Sequence, residues 1–337
     1  MFSVLDMFTI GVGPSSSHTV GPMCAAQAFA SSLEESGAVS RVGRIRVVLY
    51  GSLSLTGLGH GTDRAILAGL EGNVPATVDT DYLLSVRERC AHDGTIHVNG
   101  TNAIAYDDDG DMVFDRWKRL APHPNGMRFQ AFDAQGNIID EQVWYSIGGG
   151  FIRRGRIDDA LISNHEQTPA SSQSPEDSGN DETAEYGDGV PYPFVSCDGL
   201  IDLCRKHHLS IADVVWANET ARRSPQEVRD RLTRIWNVMS HCIDAGCASA
   251  TPTLPGGLDV PRRAPLMYRR LAANSDVLRR DRRISSALES SDSAWVALFA
   301  MSVSEENAGG GRVVTAPTNG SAGIIPAVLE YYWHFVE

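Results

Sequence analysis

Five consecutive residues, Ser15, Ser16, Ser17, His18 and Thr19, set four hydroxyls and one imidazole side by side. Hydroxyls donate to oxyanions and an imidazole titrates near neutrality, so the group suits holding a carboxylate or phosphate and moving a proton beside it. Residues 51–63 repeat the theme, with His60 between Gly59 and Gly61 and with Ser52, Ser54, Thr56 and Thr62 close in sequence. The flanking glycines let a ligand approach closely, which makes His60 a candidate for proton transfer. A third set is Ser146 followed by Gly148, Gly149 and Gly150, a strand end that either bends or offers free N–H groups to a ligand. The fourth runs from Glu305-Glu306-Asn307 through Gly309-Gly310-Gly311 to Pro317, Thr318, Asn319 and Gly320.

These residues need elements to position them. Pro22 suits the first helical residue, Phe29 and Leu33 lie one turn apart on an apolar face, and Gly37 ends it. The hydroxyl run then sits at a helix N-terminus, where unpaired N–H groups favour an anion, although Ser17 or Thr19 would also serve as a plain cap. Residues 44–50 read as a strand and 65–70 as a helix with Thr62 as its N-cap. Thr95-Ile96-His97-Val98 is strand-like, Asp107-Asp108-Asp109-Gly110 is an acidic turn, and 127–132 with 138–145 form a hairpin. Farther on, Ser224-Pro225-Gln226-Glu227 has the form of a capping box, leading a helix with Val228, Leu232, Ile235, Met239 and Ile243 on one face and Gly246 as its stop. Arg262 and Arg263 either grip a carboxylate or are solvated. The fourth loop enters an apolar helical segment, 324–335, with no C-cap signal after it, so the chain is expected to be still helical where it stops at Glu337.

The 337 residues, 42% hydrophobic and 21% charged, allow two globular domains. A net charge of −13 argues against nucleic acid and anionic membranes as partners. The first ten residues carry Asp6 and no Lys or Arg, and no apolar run is long enough to span a bilayer, so a cytoplasmic protein is expected. Six cysteines (Cys24, Cys90, Cys197, Cys204, Cys242, Cys247) lack a C-x-x-C pair and read as reduced packing residues, including those near His207, His208 and His241. Lysine is confined to Lys118 and Lys206, neither in an active-site setting, so pyridoxal phosphate has no convincing anchor. Residues 171–182 are polar and acidic and cannot offset their ordering entropy, which predicts a disordered insertion over 161–190 between a domain at 1–160 and one at 191–337.

Together, the segments Leu5-Asp6-Met7-Phe8, Gly13-Pro14-Ser15-Ser16-Ser17-His18-Thr19-Val20-Gly21-Pro22-Met23, Tyr50 to Gly57 with Gly59-His60, Tyr145 to Phe151, and Glu305-Glu306-Asn307 with Ala316 to Gly320 carry a family resemblance. The chain resembles the single-chain bacterial iron–sulfur L-serine dehydratases, or L-serine ammonia-lyases. The resemblance implies an α+β fold class: an N-terminal α/β-sandwich-like domain, then a mostly α-helical catalytic domain, incomplete here. It implies L-serine as substrate, a homodimer, and a [4Fe–4S] cluster held by three cysteines whose open iron acts as a Lewis acid on the substrate. His60 is the implied base. The implied surroundings of the substrate are Ser15, Ser16, Ser17, His18, Thr19, Ser146, Gly148, Gly149, Gly150, Thr318, Asn319 and Gly320, with hydroxyls and N–H groups on the carboxylate and Asn319 in orientation.

In one respect the sequence departs from the family pattern. The family's cluster cysteines lie C-terminal to Pro317-Thr318-Asn319-Gly320, none of the six cysteines falls in a matching motif, and Ala322 stands where some relatives carry cysteine. No metal ligand is therefore assigned within this chain, and the cluster cysteines are expected beyond Glu337. The expectation is a C-terminally truncated chain that alone binds no cluster and is inactive unless another chain supplies the missing part. Two other readings compete. One is a serine-binding regulatory module without catalysis. The other is a hydrolase using Ser17 with His18 or His60, which the adjacency of Ser17 and His18 and the lack of a Gly-x-Ser-x-Gly elbow disfavour.

Overall fold

The computed structural model describes residues 3–164, 189–255, 258–280 and 285–336. The acidic stretch 171–182 lies outside the described residues, as does Glu337. In chain order, helix α1 (Val4–Met7) is capped by Ser3, and strand β1 (Ile10–Val12) leads to a π-helical turn (Ser16–Val20) that continues into α2 (Gly21–Glu35). Strand β2 (Arg44–Tyr50) is followed by α3 (Ser52–Thr56), a 3-10 turn (Leu58–His60) and α4 (Thr62–Leu70). Next come α5 (Thr80–Asp93), β3 (Thr95–Val98), β4 (Asn102–Ala105), α6 (Asp108–Asp111), β5 (Met112–Asp115) and β6 (Lys118–Leu120). The hairpin is β7 (Gly126–Phe132) with β8 (Ile138–Gly148), after which β9 (Phe151–Arg154) folds back on β8 and β10 (Leu161–Ser163) pairs with β6. The C-terminal part is α7 (Cys197–His207), α8 (Ile211–Thr220), α9 (Pro225–Ala248), α10 (Ala264–Arg280), α11 (Ser285–Ala308), β11 (Arg312–Val314), a 3-10 turn (Asn319–Ser321) and α12 (Ile324–Phe335). A sheet-rich N-terminal part and a helical C-terminal part agree with the α+β reading.

The main sheet has the order β3-β4-β2-β7-β8-β9, with β5 also on β2. Its central strand is β2, antiparallel to β7 and parallel to β5 and β4. The run Arg-Ile-Arg-Val-Val-Leu-Tyr explains that place, since β-branched and apolar side chains fit a surface buried on both faces. Helix α2 turns Phe29 and Leu33 into the core against Leu49, Leu67 and Phe129, as their spacing predicts. Each such burial is worth about 1.5–3 kcal/mol. Helix α4 crosses α2 at Gly69, where any Cβ would run into the Met23 carbonyl oxygen.

By compactness the chain forms two units, one of residues 1–9 and 167–237, the other of 10–166 and 238–337, the border falling within α9. In the first, Glu219 accepts from Ser3 Oγ at 2.7 Å and from Arg223 Nη1 at 2.7 Å. In the second, Ile243, Leu298, Phe299, Val303 and Ala327 form a further core beside that of the sheet.

Several local expectations are corrected. Gly61, with φ +62°, holds the N-cap position of α4, so Thr62 is the first helical residue and its hydroxyl is free for other work. Gly246 does not stop α9, which runs on to Ala248; a Cβ there would stand 2.5 Å from the Ser302 carbonyl oxygen, so the glycine permits close passage of α11. Residues 108–111 are a helical turn rather than an open acidic one. Leu232, placed on the apolar face of α9, is exposed. Helix α12, expected to be still running at Glu337, ends at Phe335 with Val336 as its C-cap, the Val336 N–H donating to the Tyr332 carbonyl at 3.0 Å.

Candidate active site

The hydroxyl-rich loop is the first turn of a helix, not a prelude to one. The Ser15 carbonyl accepts from Thr19 N at 2.9 Å and from Val20 N at 3.1 Å, and Ser15 Oγ accepts from His18 N at 3.2 Å. The cap is therefore Ser15, in place of Ser17 or Thr19, and α2 has no side-chain cap because the backbone is already helical at Val20. A wide turn of this kind shifts side chains round the axis and is frequent at functional sites. Here it directs His18 toward α3 and Thr19 toward the segment carrying His60.

Both nitrogens of the His18 ring are engaged: Nδ1 lies 2.9 Å from Ser17 Oγ and Nε2 3.0 Å from Ser52 Oγ. Burial, and next the nearby His60, hold its pKa below the usual imidazole value. The two rings lie 4.8 Å apart between centroids. His60 Nδ1 sits 2.9 Å from the Thr56 carbonyl oxygen. A carbonyl only accepts, so Nδ1 carries a proton, and in the neutral ring the lone pair is on Nε2. Among the described residues Nε2 has no hydrogen-bond partner.

Two threonines lock these segments together in reciprocal fashion. Thr19 Oγ1 donates to the His60 carbonyl at 2.8 Å, and Thr62 Oγ1 donates to the His18 carbonyl at 2.5 Å. Ser146 is fully buried beside Gly21, whose lack of a side chain makes room for its hydroxyl. Strand β1 pairs with β11, Ile10 opposite Val314 and Val12 opposite Arg312, and Gly13 N donates to Gly311 O at 2.9 Å. This ladder joins the first motif to the fourth. Asn307 Nδ2 donates to the Pro14 carbonyl at 2.9 Å, and Asn319 Nδ2 donates to Asn307 Oδ1 at 2.9 Å. Ser146 Oγ and Asn319 Oδ1 are buried with no hydrogen-bond partner among the described residues.

A cleft of about 90 Å³ opens here, lined among others by Gly13, Pro14, Thr19, Gly59, His60, Arg64 and Gly309. Of the residues expected around a substrate, Thr19 and His60 line it; Ser15, Ser16, Ser17, His18, Ser146 and Asn319 do not. Gly148, Gly149 and Gly150 all have positive φ and form the β8–β9 turn, so bending is their first task, and a Cβ on Gly149 would stand 3.7 Å from the Pro317 carbonyl oxygen. Thr318 Oγ1 is bonded to Ser321 Oγ at 3.1 Å, and Gly320 is exposed. The arginine pair grips carboxylates of the protein itself. Arg262 Nη1 meets Glu306 at 2.6 Å, while Glu305 accepts from Arg263 N at 2.8 Å at the start of α10. Sequence reasoning passed over Arg64, Thr62 and Ser52 as site residues; only the spacing of Ser52 and Thr62 around His60 hinted at the last two.

An iron–sulfur cluster takes several thiolates at one place. Among the described residues no three of His, Cys, Asp and Glu converge to hold a metal. Burial pushes the thiols of Cys24, Cys90 and Cys247 up to about 11 and that of Cys242 up to about 12. The residues present do not fit a cluster. Glu337, past which the cluster cysteines are expected, is itself outside the described residues.

Comparison with known proteins defines the class. Residues 3–156 match the family model of the serine dehydratase beta chain and residues 206–337 that of the alpha chain. The chain is 44% identical over 334 residues to an L-serine dehydratase of Streptomyces coelicolor, covering 99% of this chain and 66% of that one. It is 42% identical over 341 residues to L-serine dehydratase 1 of Escherichia coli, covering 100% and 67%, and 36% over 330 residues to an L-serine dehydratase of Helicobacter pylori, covering 98% and 65%. The class is that of the serine dehydratases, which are lyases. The chain belongs to the L-serine dehydratase family, and it spans about two thirds of the length of these relatives.

Proposed function

We propose that this chain is the site-bearing part of an L-serine ammonia-lyase, converting L-serine to pyruvate and ammonia. The observation that carries the reading is the fixed tautomer of His60, whose Nδ1 is tied to the Thr56 carbonyl while Nε2 belongs to a residue lining a cleft of small-molecule size. In this scheme the α-proton of L-serine passes to His60 Nε2 and the β-hydroxyl departs as hydroxide, so that the two together amount to loss of water. The 2-aminoacrylate formed tautomerises to an imine, and water hydrolyses that to pyruvate and ammonium. His18, its pKa held below the usual imidazole value, positions the loop; Thr19 lines the cleft beside His60, while Ser15, Ser16, Ser17 and Asn319 stand outside the cleft lining as positioning residues of the surrounding loops.

The [4Fe–4S] cofactor, with its cysteines beyond Glu337, stays a proposal of the family resemblance. The residues present do not fit it. A domain at 1–160 and a second at 191–337, a homodimer, a cytoplasmic location and the absence of nucleic-acid or membrane partners belong to the same proposal. Among the described residues no helix is long and apolar enough to cross a membrane. The test is to titrate the chain with L-serine by calorimetry and to assay pyruvate with the C-terminal third of a relative supplied as a second chain, after anaerobic addition of iron and sulfide. Binding with pyruvate release in the complemented state supports the reading; binding without release in that state favours a serine-binding module; no binding refutes both.

A further inference from the structure

Arg64 is a half-buried residue with no ion pair or hydrogen bond among the described residues, and it lines the same cleft as His60. Other partly buried arginines of this acidic chain have partners: Arg87 pairs with Asp63 and Asp108, Arg89 with Glu71, Arg223 with Glu219 and Arg262 with Glu306, and Arg312 donates to the Pro75 and Val78 carbonyls. A guanidinium that lines a cleft with no counter-charge of its own is available to an anion entering that cleft. The place sharpens the point. Arg64 lies in the first turn of α4, where the helix dipole is positive and an arginine is unfavourable unless an anion offsets both. Its fork lies over the residue next to His60, since a Cβ on Gly61 would be 2.8 Å from Nη2 and 3.1 Å from Nε. The hydroxyls nearby are occupied in holding the histidines: Ser17 and Ser52 on the His18 ring, Thr19 on the His60 carbonyl and Thr62 on the His18 carbonyl.

We infer that Arg64 binds the α-carboxylate of the substrate and so sets it beside His60. The inference rests on the serine reading above and adds its charge partner. A guanidinium meets a carboxylate through two parallel N–H donors, which selects free amino acids and rejects their amides and esters.

The test is phenylglyoxal modification of the full chain, followed at Arg64 by peptide mass mapping, with calorimetry in parallel. L-Serine is expected to slow labelling of Arg64 while L-serinamide leaves it unchanged. Arg64→Ala is expected to weaken L-serine binding about ten- to a hundred-fold, with Arg64→Lys in between and the melting temperature of both unchanged. If L-serine binds to the wild type but neither slows labelling nor loses affinity in Arg64→Ala, the inference is overturned and the serine reading stands. If L-lactate protects Arg64 while L-serine does not bind, the carboxylate role stands and the serine reading falls. If no carboxylate protects or binds, both fall.

Discussion

The imidazoles of His18 and His60 lie 4.8 Å apart between centroids, and each backbone carbonyl accepts a hydroxyl from a threonine of the other's segment. The rings differ in what they are free to do. His18 is bonded at both nitrogens, whereas His60 is bonded at Nδ1 alone among the described residues. In the assembled, active enzyme His60→Ala is therefore expected to lower kcat for pyruvate formation by about 10²–10⁴-fold, the range for loss of a general base. L-Serine affinity should change little. Steady-state kinetics checks this, and a loss confined to KM would show that His60 binds rather than takes the proton.

Thr62 is fully buried and spends its hydroxyl on the His18 carbonyl. Thr62→Val keeps the volume and removes the hydroxyl donated to that carbonyl, at a cost of about 1–3 kcal/mol. Urea unfolding should show the midpoint falling at unchanged slope. Thr19→Val, which removes the reciprocal bond to His60, is expected to behave alike, and the double variant to lose less than the sum of the two.

The contrast between Thr62 and its surroundings shows where sequence reading stopped. Strand β2, the hairpin and the apolar face of α2 were legible because the period of side chains along one short segment decides them. Thr62 next to a helix start looks like a cap by the same local rule. Its actual partner is 44 residues away, and Gly61 already occupies the cap position. Gly246 misled in the same way, as its signal is local and its reason is Ser302 on another helix. Arg64 left no pattern at all; only its lack of a partner among the described residues, in the cleft of His60, marks it. The motif pairs at the site were recognisable as a set, but their junction through β1 and β11 required the fold.

Two glycines of the opening motif are fixed by packing. A Cβ on Gly13 would overlap the Asn307 carbonyl oxygen, and one on Gly21 would overlap Ser146 Oγ. Gly13→Ala and Gly21→Ala are each expected to cost about 1–3 kcal/mol through displaced neighbours. Gly59, in the same cleft, has nothing within 4 Å of a Cβ position, so Gly59→Ala should melt like the wild type. Differential scanning calorimetry of the three separates packing from composition, and equal melting temperatures would contradict the account.

Thiol chemistry should sort the cysteines. Cys90 and Cys242 are buried, Cys24 and Cys247 partly so, and burial raises all four thiols to about 11 or 12. At pH 8 they are protonated and slow to react. Cys197 is exposed. Titration of the folded chain with a chromogenic disulfide should show Cys197 reacting first, with Cys24, Cys90, Cys242 and Cys247 reacting only after denaturation.

Acid sensitivity should come from histidines held neutral. His18 is lowered by burial and then by His60, and His123 by burial and then by Arg153. In the unfolded chain each takes a proton near pH 6.5, while in the folded chain each does so only at lower pH. Between those values the unfolded state binds more protons, so stability falls as pH falls. Above about pH 7 both states are neutral at these rings and the contribution is flat. The melting temperature is thus expected to be level from pH 7 to 8 and to drop below about 6.5. His123→Gln, which retains an acceptor for Asn125 N, and His18→Asn should each flatten the acid limb, and the double variant should flatten it further. A double variant whose melting temperature falls as steeply as that of the wild type would assign the acid limb to other groups.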